Sequence, residues 1–178
     1  AAYGLKPGGY YMILARMEPE NHIEMVIRGY LLSGQRLPLV VIGNINNTYG
    51  KELQKKYTEV RFMPGIYETG IVNALRHFSR LYFHGHSVGG TNPSLLEAMA
   101  CGCTIAAHNN PFNKTVLEDN AFYFSSAEDI AGIVNNTNDA AVNGMIEANQ
   151  RKIQEHYSWS SIIDSYESLF LRSLQKKD

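Results

Sequence analysis

The chain has 178 residues, 44% of them apolar and 19% charged. That length corresponds to about one domain, and the composition excludes a disordered tail. Sixteen basic against seventeen acidic residues leave a net charge of −1 with no Lys/Arg block, which argues against nucleic-acid binding by bulk charge. No apolar run approaches the roughly 18 residues of a membrane span. The two cysteines, Cys101 and Cys103, are too close in sequence for an unstrained disulfide and two short of a structural zinc set. Lone thiols point to a reducing compartment and are expected to be packing residues. The chain starts Ala-Ala-Tyr-Gly and is read as a processed chain or as a domain cut from a longer protein.

Apolar runs alternate with helix-period stretches, the pattern of a parallel sheet covered by helices. Tyr10–Ala15 is the first expected strand. Glu20–Ser33 follows as a helix with Ile23, Val26, Ile27, Tyr30 and Leu31 on one face, stopped by Gly34. Leu39–Ile42 is the second strand, then a turn-rich segment from Asn44 to Gly50 and a short helix near Lys51–Tyr57. Val60–Met63 is a strand ended by Pro64-Gly65, and Thr69–Phe78 a helix. Leu81–His84, a loop to Asn92 and a helix over Pro93–Ala100 come next. Thr104–Ala107 and Phe122–Phe124 complete the strands, with a loop expected over Asn109–Lys114. Beyond Ala127 the pattern is helical, and Trp159, Ile162, Ile163, Tyr166, Leu169 and Phe170 form one stripe. The expected fold is a single α/β domain over residues 1–178. It has about six parallel strands in a Rossmann-like sheet, helices on both faces and a terminal helix from about residue 158.

Ligands of such sheets bind beyond the carboxyl ends of the strands. The loop Gly89-Gly90-Thr91-Asn92 and the helix it feeds lie there. Two glycines permit tight turns and close approach of a ligand. Asn92 is a good N-cap, and Pro93 suits the first helical position. The amides of Ser94 and Leu95 and the positive end of the helix dipole are expected to face the crevice as an anion site. The side chain of Asn92 competes for one of those amides. Glu97, one turn in, is placed to accept ribose hydroxyls, or merely to complement the dipole. His84 and His86 have an H-x-H spacing without an evident third metal ligand, so no metal is expected. The Asn-rich stretches suit loops first and hydroxyl recognition second, with Asn113 and Lys114 as candidates.

Leu95-Leu96-Glu97-Ala98-Met99-Ala100-Cys101-Gly102 resembles the signature of retaining glycosyltransferases of the GT-B fold, in particular the large family 4. Ile13-Leu14-Ala15-Arg16-Met17-Glu18-Pro19-Glu20-Asn21 is similar to that family's first-strand motif. Val40-Val41-Ile42-Gly43 resembles its second strand and turn, and Tyr157-Ser158-Trp159 its C-terminal ending. The resemblance is to the carboxyl-terminal, donor-nucleotide half of a two-domain enzyme. It implies transfer of a sugar from a nucleotide diphosphate sugar to a glycan or lipid-linked acceptor, with retention, without a metal or other cofactor. In bacteria it implies surface polysaccharide such as O-antigen. The partners implied are the donor and an acceptor-binding amino-terminal half. The location implied is the cytoplasm, with room for peripheral membrane attachment of the full-length enzyme.

By the same resemblance Arg16 binds the diphosphate, where a fixed guanidinium stabilises charge building on the leaving group. The alternative for Arg16 is a surface ion pair. Glu97 matches the second carboxylate of an E-x7-E pair and binds ribose. Gly90, Thr91, Asn92, Ser94 and Leu95 form the phosphate cradle, and the backbone at Gly65–Ile66 holds the base. The sequence departs from the family at three points. Asn21 stands where a Lys is expected, leaving Lys114 or Lys51 as substitutes. Gly89 stands where the sugar-contacting first Glu is expected, with His86 a candidate replacement. Pro93 removes one cradle amide. Those departures also fit a catalytically silent nucleotide-sugar-binding module. A dinucleotide-dependent oxidoreductase is disfavoured, because Ala-Arg-Met-Glu, not G-x-G-x-x-G, follows the first strand.

Overall fold

In the computed structural model, which describes residues 3–137 and 139–175, the apolar runs become six strands. They are β1 (Tyr11–Leu14), β2 (Leu39–Gly43), β3 (Arg61–Pro64), β4 (Leu81–His84), β5 (Ile105–His108) and β6 (Phe122–Phe124). All pair in parallel in the order β3-β2-β1-β4-β5-β6. Strands buried on both faces need apolar side chains at every position, and alternate residues point to opposite layers. Ile13, Val41 and Phe83 therefore pack on one side with Ile23, Val26, Ile27 and Ile130. Met12, Val40 and Tyr82 pack on the other with Leu75, Leu95, Met99 and Val116.

The covering helices are α1 (Ile23–Leu32), α2 (Thr48–Lys56) and α6 (Ala127–Asn136) on the first face, and α3 (Thr69–His77), α4 (Pro93–Ala100) and α5 (Pro111–Leu117) on the second. Helices α7 (Asp139–His156) and α8 (Trp159–Gln175) complete the described chain. The apolar stripe expected on the last helix is there, but Trp159, Ile163, Tyr166, Leu169 and Phe170 face solvent rather than a core.

Three helix starts differ from the sequence expectation by more than one residue. Helix α1 starts at Ile23, not Glu20, because Pro19–Asn21 form a 3-10 turn and His22 adopts φ 49°. Helix α2 starts at Thr48, three residues before the expected Lys51, under a cap in which the Asn47 side chain accepts from the Gly50 amide. The segment Asn109–Lys114, expected as a loop, contains the start of α5. Asn110 caps it through the Asn113 amide, and Pro111 opens it. This is the same Asn-Pro device that opens α4.

The order of strands reverses between β1 and β4, so their connections diverge and leave a crevice above their carboxyl ends. Histidines collect there. His84 ends β4 fully buried, and neither of its ring nitrogens has a hydrogen-bond partner. Its ring stacks on His86 at 4.5 Å, so the two side chains do lie on one side, as their spacing predicts. His22 stacks on His108 at 4.0 Å. Burial holds His84 well below the ordinary imidazole value, and His86 and Arg76 add to the effect. Burial also lowers His86, aided by Arg16, and His108, aided by His22.

Because the folded chain resists protonation at these rings, the unfolded chain binds more protons just below pH 6.5, the ordinary imidazole value. Their contribution is complete above that pH and is lost as pH falls through it. The denaturant midpoint is expected to be level from pH 8 to 7 and to drop between pH 6.5 and 5. A midpoint that holds or rises across that acid range contradicts the neutral assignment.

Candidate functional site

Above the reversal point lie two adjoining compartments. The larger, about 480 Å³, is walled by Leu14, Arg16, Asn21, Arg76, His86, Asn92, Ser94 and Glu97, among others. The smaller, about 290 Å³, is walled by Ala15, Gly43, Asn44, Gly65, Ile66 and Tyr67 and shares Leu14, Arg16, His86 and Ser94 with the first. Residues from the ends of β1, β2, β3 and β4 and from the start of α4 therefore form one crevice.

Arg16 lies two residues beyond the end of β1. Its side chain is 76% exposed, with Nη2 3.3 Å from Glu18 Oε2, and a solvated pair of this kind contributes little to stability. The guanidinium is thus free to engage a ligand. Its backbone is held more firmly. Asn21, buried, donates from Nδ2 to the Arg16 carbonyl at 2.8 Å, and Asn47 donates to the Met17 carbonyl at 2.8 Å. Where a Lys was expected, Asn21 orders the turn that carries Arg16. Lys51 and Lys114 do not line either compartment. Lys114 lies over the Tyr123 ring, 5.5 Å from its centroid.

The close approach of that turn to the next loop depends on Gly85. A Cβ there would stand 2.0 Å from the Asn21 carbonyl oxygen, so any other residue pushes the Arg16 turn away. His22 Nδ1 reaches the Gly85 carbonyl at 2.8 Å and closes the same contact.

At α4 the expectation of bare amides is corrected. The Asn92 side chain accepts from the Ser94 amide at 2.9 Å, and the Asn92 carbonyl accepts from Leu95 at 3.0 Å. A good N-cap satisfies the orphan donors that an anion would otherwise use. Leu95 is buried and offers the crevice no free polar group. What remains is the positive end of the dipole, the Ser94 hydroxyl and the side chain of Glu97.

Glu97 projects into the crevice with 54% of its side chain exposed, and Oε2 lies 2.7 Å from Nη1 of Arg76. The carboxylate expected to accept ribose hydroxyls therefore already has a protein partner at one oxygen. Arg76 is 1% exposed, and sequence reading passed over it. A cation on the apolar stripe of α3, beside Val72 and Leu75, was the available signal. Tyr67, 91% exposed at the rim of the smaller compartment beside Ile66, was also missed.

Other expectations separate. His86 lines both compartments. Gly89, at φ 100°, Gly90 and Thr91 lie on an exposed loop, of which Val88 lines the crevice. Asn113 is a correction: buried, it donates from Nδ2 to the His86 carbonyl at 3.0 Å and the His108 carbonyl at 2.9 Å. Its amide joins two strand ends and is not available to a sugar. Among the described residues, no three His, Cys, Asp or Glu side chains converge to hold a metal, and no helix is long and apolar enough to cross a membrane. Burial pushes the Cys103 thiol to about 12 and also raises Cys101, so neither is a ready thiolate.

A curated relative, an uncharacterized glycosyltransferase of Methanocaldococcus jannaschii, is 29% identical over 184 residues, which cover 89% of this chain and 44% of that protein. The crystal structure of Anabaena Alr3699/HepE in complex with UDP and glucose superposes with a TM-score of 0.73 at 18% identity, covering 94% of this chain and 49% of that one. The C-terminal domain of a Francisella tularensis glycosyl transferase group 1 protein superposes with a TM-score of 0.71 at 16% identity, covering 86% of this chain and 88% of that one. The chain thus spans about half the length of its curated relative and of HepE. The sequence profile of the glycosyl transferases group 1 matches residues 6–157, and the chain belongs to that family.

Proposed function

We propose that the chain is the donor-binding, carboxyl-terminal half of a GT-B enzyme of the family 4 type, moving sugar from a nucleotide diphosphate sugar to a glycan or lipid-linked acceptor. The observation that carries this reading is that Arg16, Glu97 and the positive end of α4 line one crevice at the reversal point of the sheet. Glu97 Oε1 accepts a ribose hydroxyl while the diphosphate lies toward Arg16 and Ser94. As the sugar–phosphate bond breaks, negative charge grows on the departing diphosphate. A guanidinium placed there stabilises that charge more than the ground state, which lowers the barrier. Arg16 supplies the cation, and the reading assigns no metal or cofactor. Ile66 and the exposed ring of Tyr67 flank the smaller compartment, where the base lies. His86, between the two compartments, faces the donor sugar in place of a carboxylate at position 89.

The rest of the reading follows the family resemblance: retention of configuration, an acceptor held by a second domain, and surface polysaccharide synthesis at the cytoplasmic face of a membrane. UDP, bound by HepE, is the first nucleotide to test.

A thermal-shift panel of UDP, GDP, dTDP and ADP with their sugars tests the whole. A nucleotide at 100 times its Kd stabilises by about 2.7 kcal/mol, which raises the Tm of a domain this size by roughly 5–10 °C. Absence of a shift with every member sinks the proposal. The 178-residue chain is expected to bind the nucleotide sugar yet transfer nothing to an added acceptor, and robust transfer by it contradicts the two-half reading.

Glu97→Gln is expected to weaken nucleoside diphosphate binding by about 1–3 kcal/mol through a lost charged hydrogen bond, with no loss of pyrophosphate affinity. Calorimetry that finds equal nucleotide affinity in the folded variant removes the ribose role. Arg16→Ala is expected to cost at least about tenfold in affinity for the diphosphate and to leave the bare nucleoside unaffected. Equal losses for both ligands mark Arg16 as structural.

A further inference from the structure

Arg76 is a charge where packing needs none. It sits in the last turn of α3, four residues after Val72, within the layer between α3 and the sheet. Taking a cation out of water costs several kcal/mol, and an apolar side chain of similar volume often packs as well or better. Its retention is explained by what its fork touches. Nη1 reaches Glu97 Oε2 at 2.7 Å and Asn73 Oδ1 at 3.3 Å. Nη2 donates to Ser94 Oγ at 2.9 Å, and the guanidinium carbon lies 5.8 Å from the centroid of the Tyr82 ring. Apart from Asn73 on its own helix, both hydrogen-bonding partners belong to the start of α4 and wall the crevice.

A planar guanidinium fixes two acceptors at once in a set geometry, which a flexible ammonium cannot do. With Oε2 engaged, the Glu97 carboxylate has fewer orientations open to it, and Oε1 is not taken by Arg76. Because arginine only donates, Ser94 Oγ accepts from it, and the Tyr82 hydroxyl lies 3.2 Å from the same oxygen. The pair also cancels charge. An unpaired carboxylate in the same crevice as a diphosphate would repel it, whereas Glu97 with Arg76 beneath it is neutral overall.

We infer that Arg76 is a positioning residue for nucleotide recognition: it fixes one oxygen of Glu97 and the Ser94 hydroxyl, leaves the other oxygen for a ribose hydroxyl, and cancels the charge of Glu97 beside the diphosphate. The inference rests on the nucleotide reading of the crevice and names a residue that reading does not use.

The test uses whichever nucleoside diphosphate of the panel binds best and its 2′,3′-dideoxy counterpart, titrated calorimetrically into the 178-residue chain. The wild type is expected to prefer the hydroxylated form by about tenfold, the worth of one charged hydrogen bond. In Arg76→Met that preference is expected to fall below about threefold, and in Arg76→Met combined with Glu97→Gln to fall no further than in Glu97→Gln alone. Loss of packing alone lowers affinity for both ligands together and leaves their ratio at the wild-type value, and a folded Arg76→Met with that ratio overturns the inference while the nucleotide reading stands. Should Arg76→Met not fold, Arg76→Lys keeps the charge but not the fork. A reduced ratio there supports the inference and an unchanged ratio overturns it. A wild type that binds the nucleotide without preference removes Glu97 from the ribose and the inference with it. A wild type that binds no nucleotide sinks the underlying reading itself.

Discussion

Two backbones touch where the sheet reverses, and the crevice exists because they can. The turn after β1 lies against the loop after β4 at Gly85, where a Cβ would sit 2.0 Å from the Asn21 carbonyl oxygen. That contact, with Asn21 holding the Arg16 carbonyl and His22 reaching the Gly85 carbonyl, determines where the Arg16 side chain starts. A second tight approach has the same effect one strand over: a Cβ at Gly43 would meet the Ala15 carbonyl oxygen at 2.2 Å. The guanidinium is exposed, while the backbone that carries it is hydrogen-bonded in place. This combination suits a cation that must reach a developing charge without reordering the chain.

On the opposite wall the logic is inverted. There the mobile group would be Glu97, and a buried partner restrains it. Arg76 reaches up from α3 to Glu97 and Ser94, so the first turn of α4 is tied both to its neighbour helix and, through Asn92, to its own cap. The anion-attracting end of α4 acts through its dipole and the Ser94 hydroxyl, since the cap already satisfies the amides of Ser94 and Leu95. Direct amide contact with phosphate would require the Asn92 side chain to release the Ser94 amide first.

The strands were legible because a parallel sheet buried on both faces leaves unbroken apolar runs such as Leu39–Gly43, and β4 and α4 have the boundaries their residues suggest. Helix α5 was hidden by its own Asn-rich opening, although Asn110-Pro111 repeats the grammar of Asn92-Pro93. Glu97 was a candidate from its place one turn into a helix, and Arg16 through the resemblance of the first-strand motif. Arg76 was not, because its role depends on α3 packing beside α4, a contact between residues 21 positions apart in sequence. Asn113 misled for a related reason: an amide in an expected loop reads as ligand-facing, and only the fold reveals that it is buried and bonded to backbone carbonyls. Its chemistry was right for hydrogen bonding and wrong for the partner.

Helix α8 has a practical consequence for anyone handling this chain. Trp159, Ile163, Tyr166, Phe170 and Leu174 stand in water along one face, an arrangement that favours association in aqueous buffer. Preparations will grow stickier with concentration and with salting-out anions such as sulfate, which strengthen apolar burial. Column retention and turbidity will report on that one helix long before they report on the sheet.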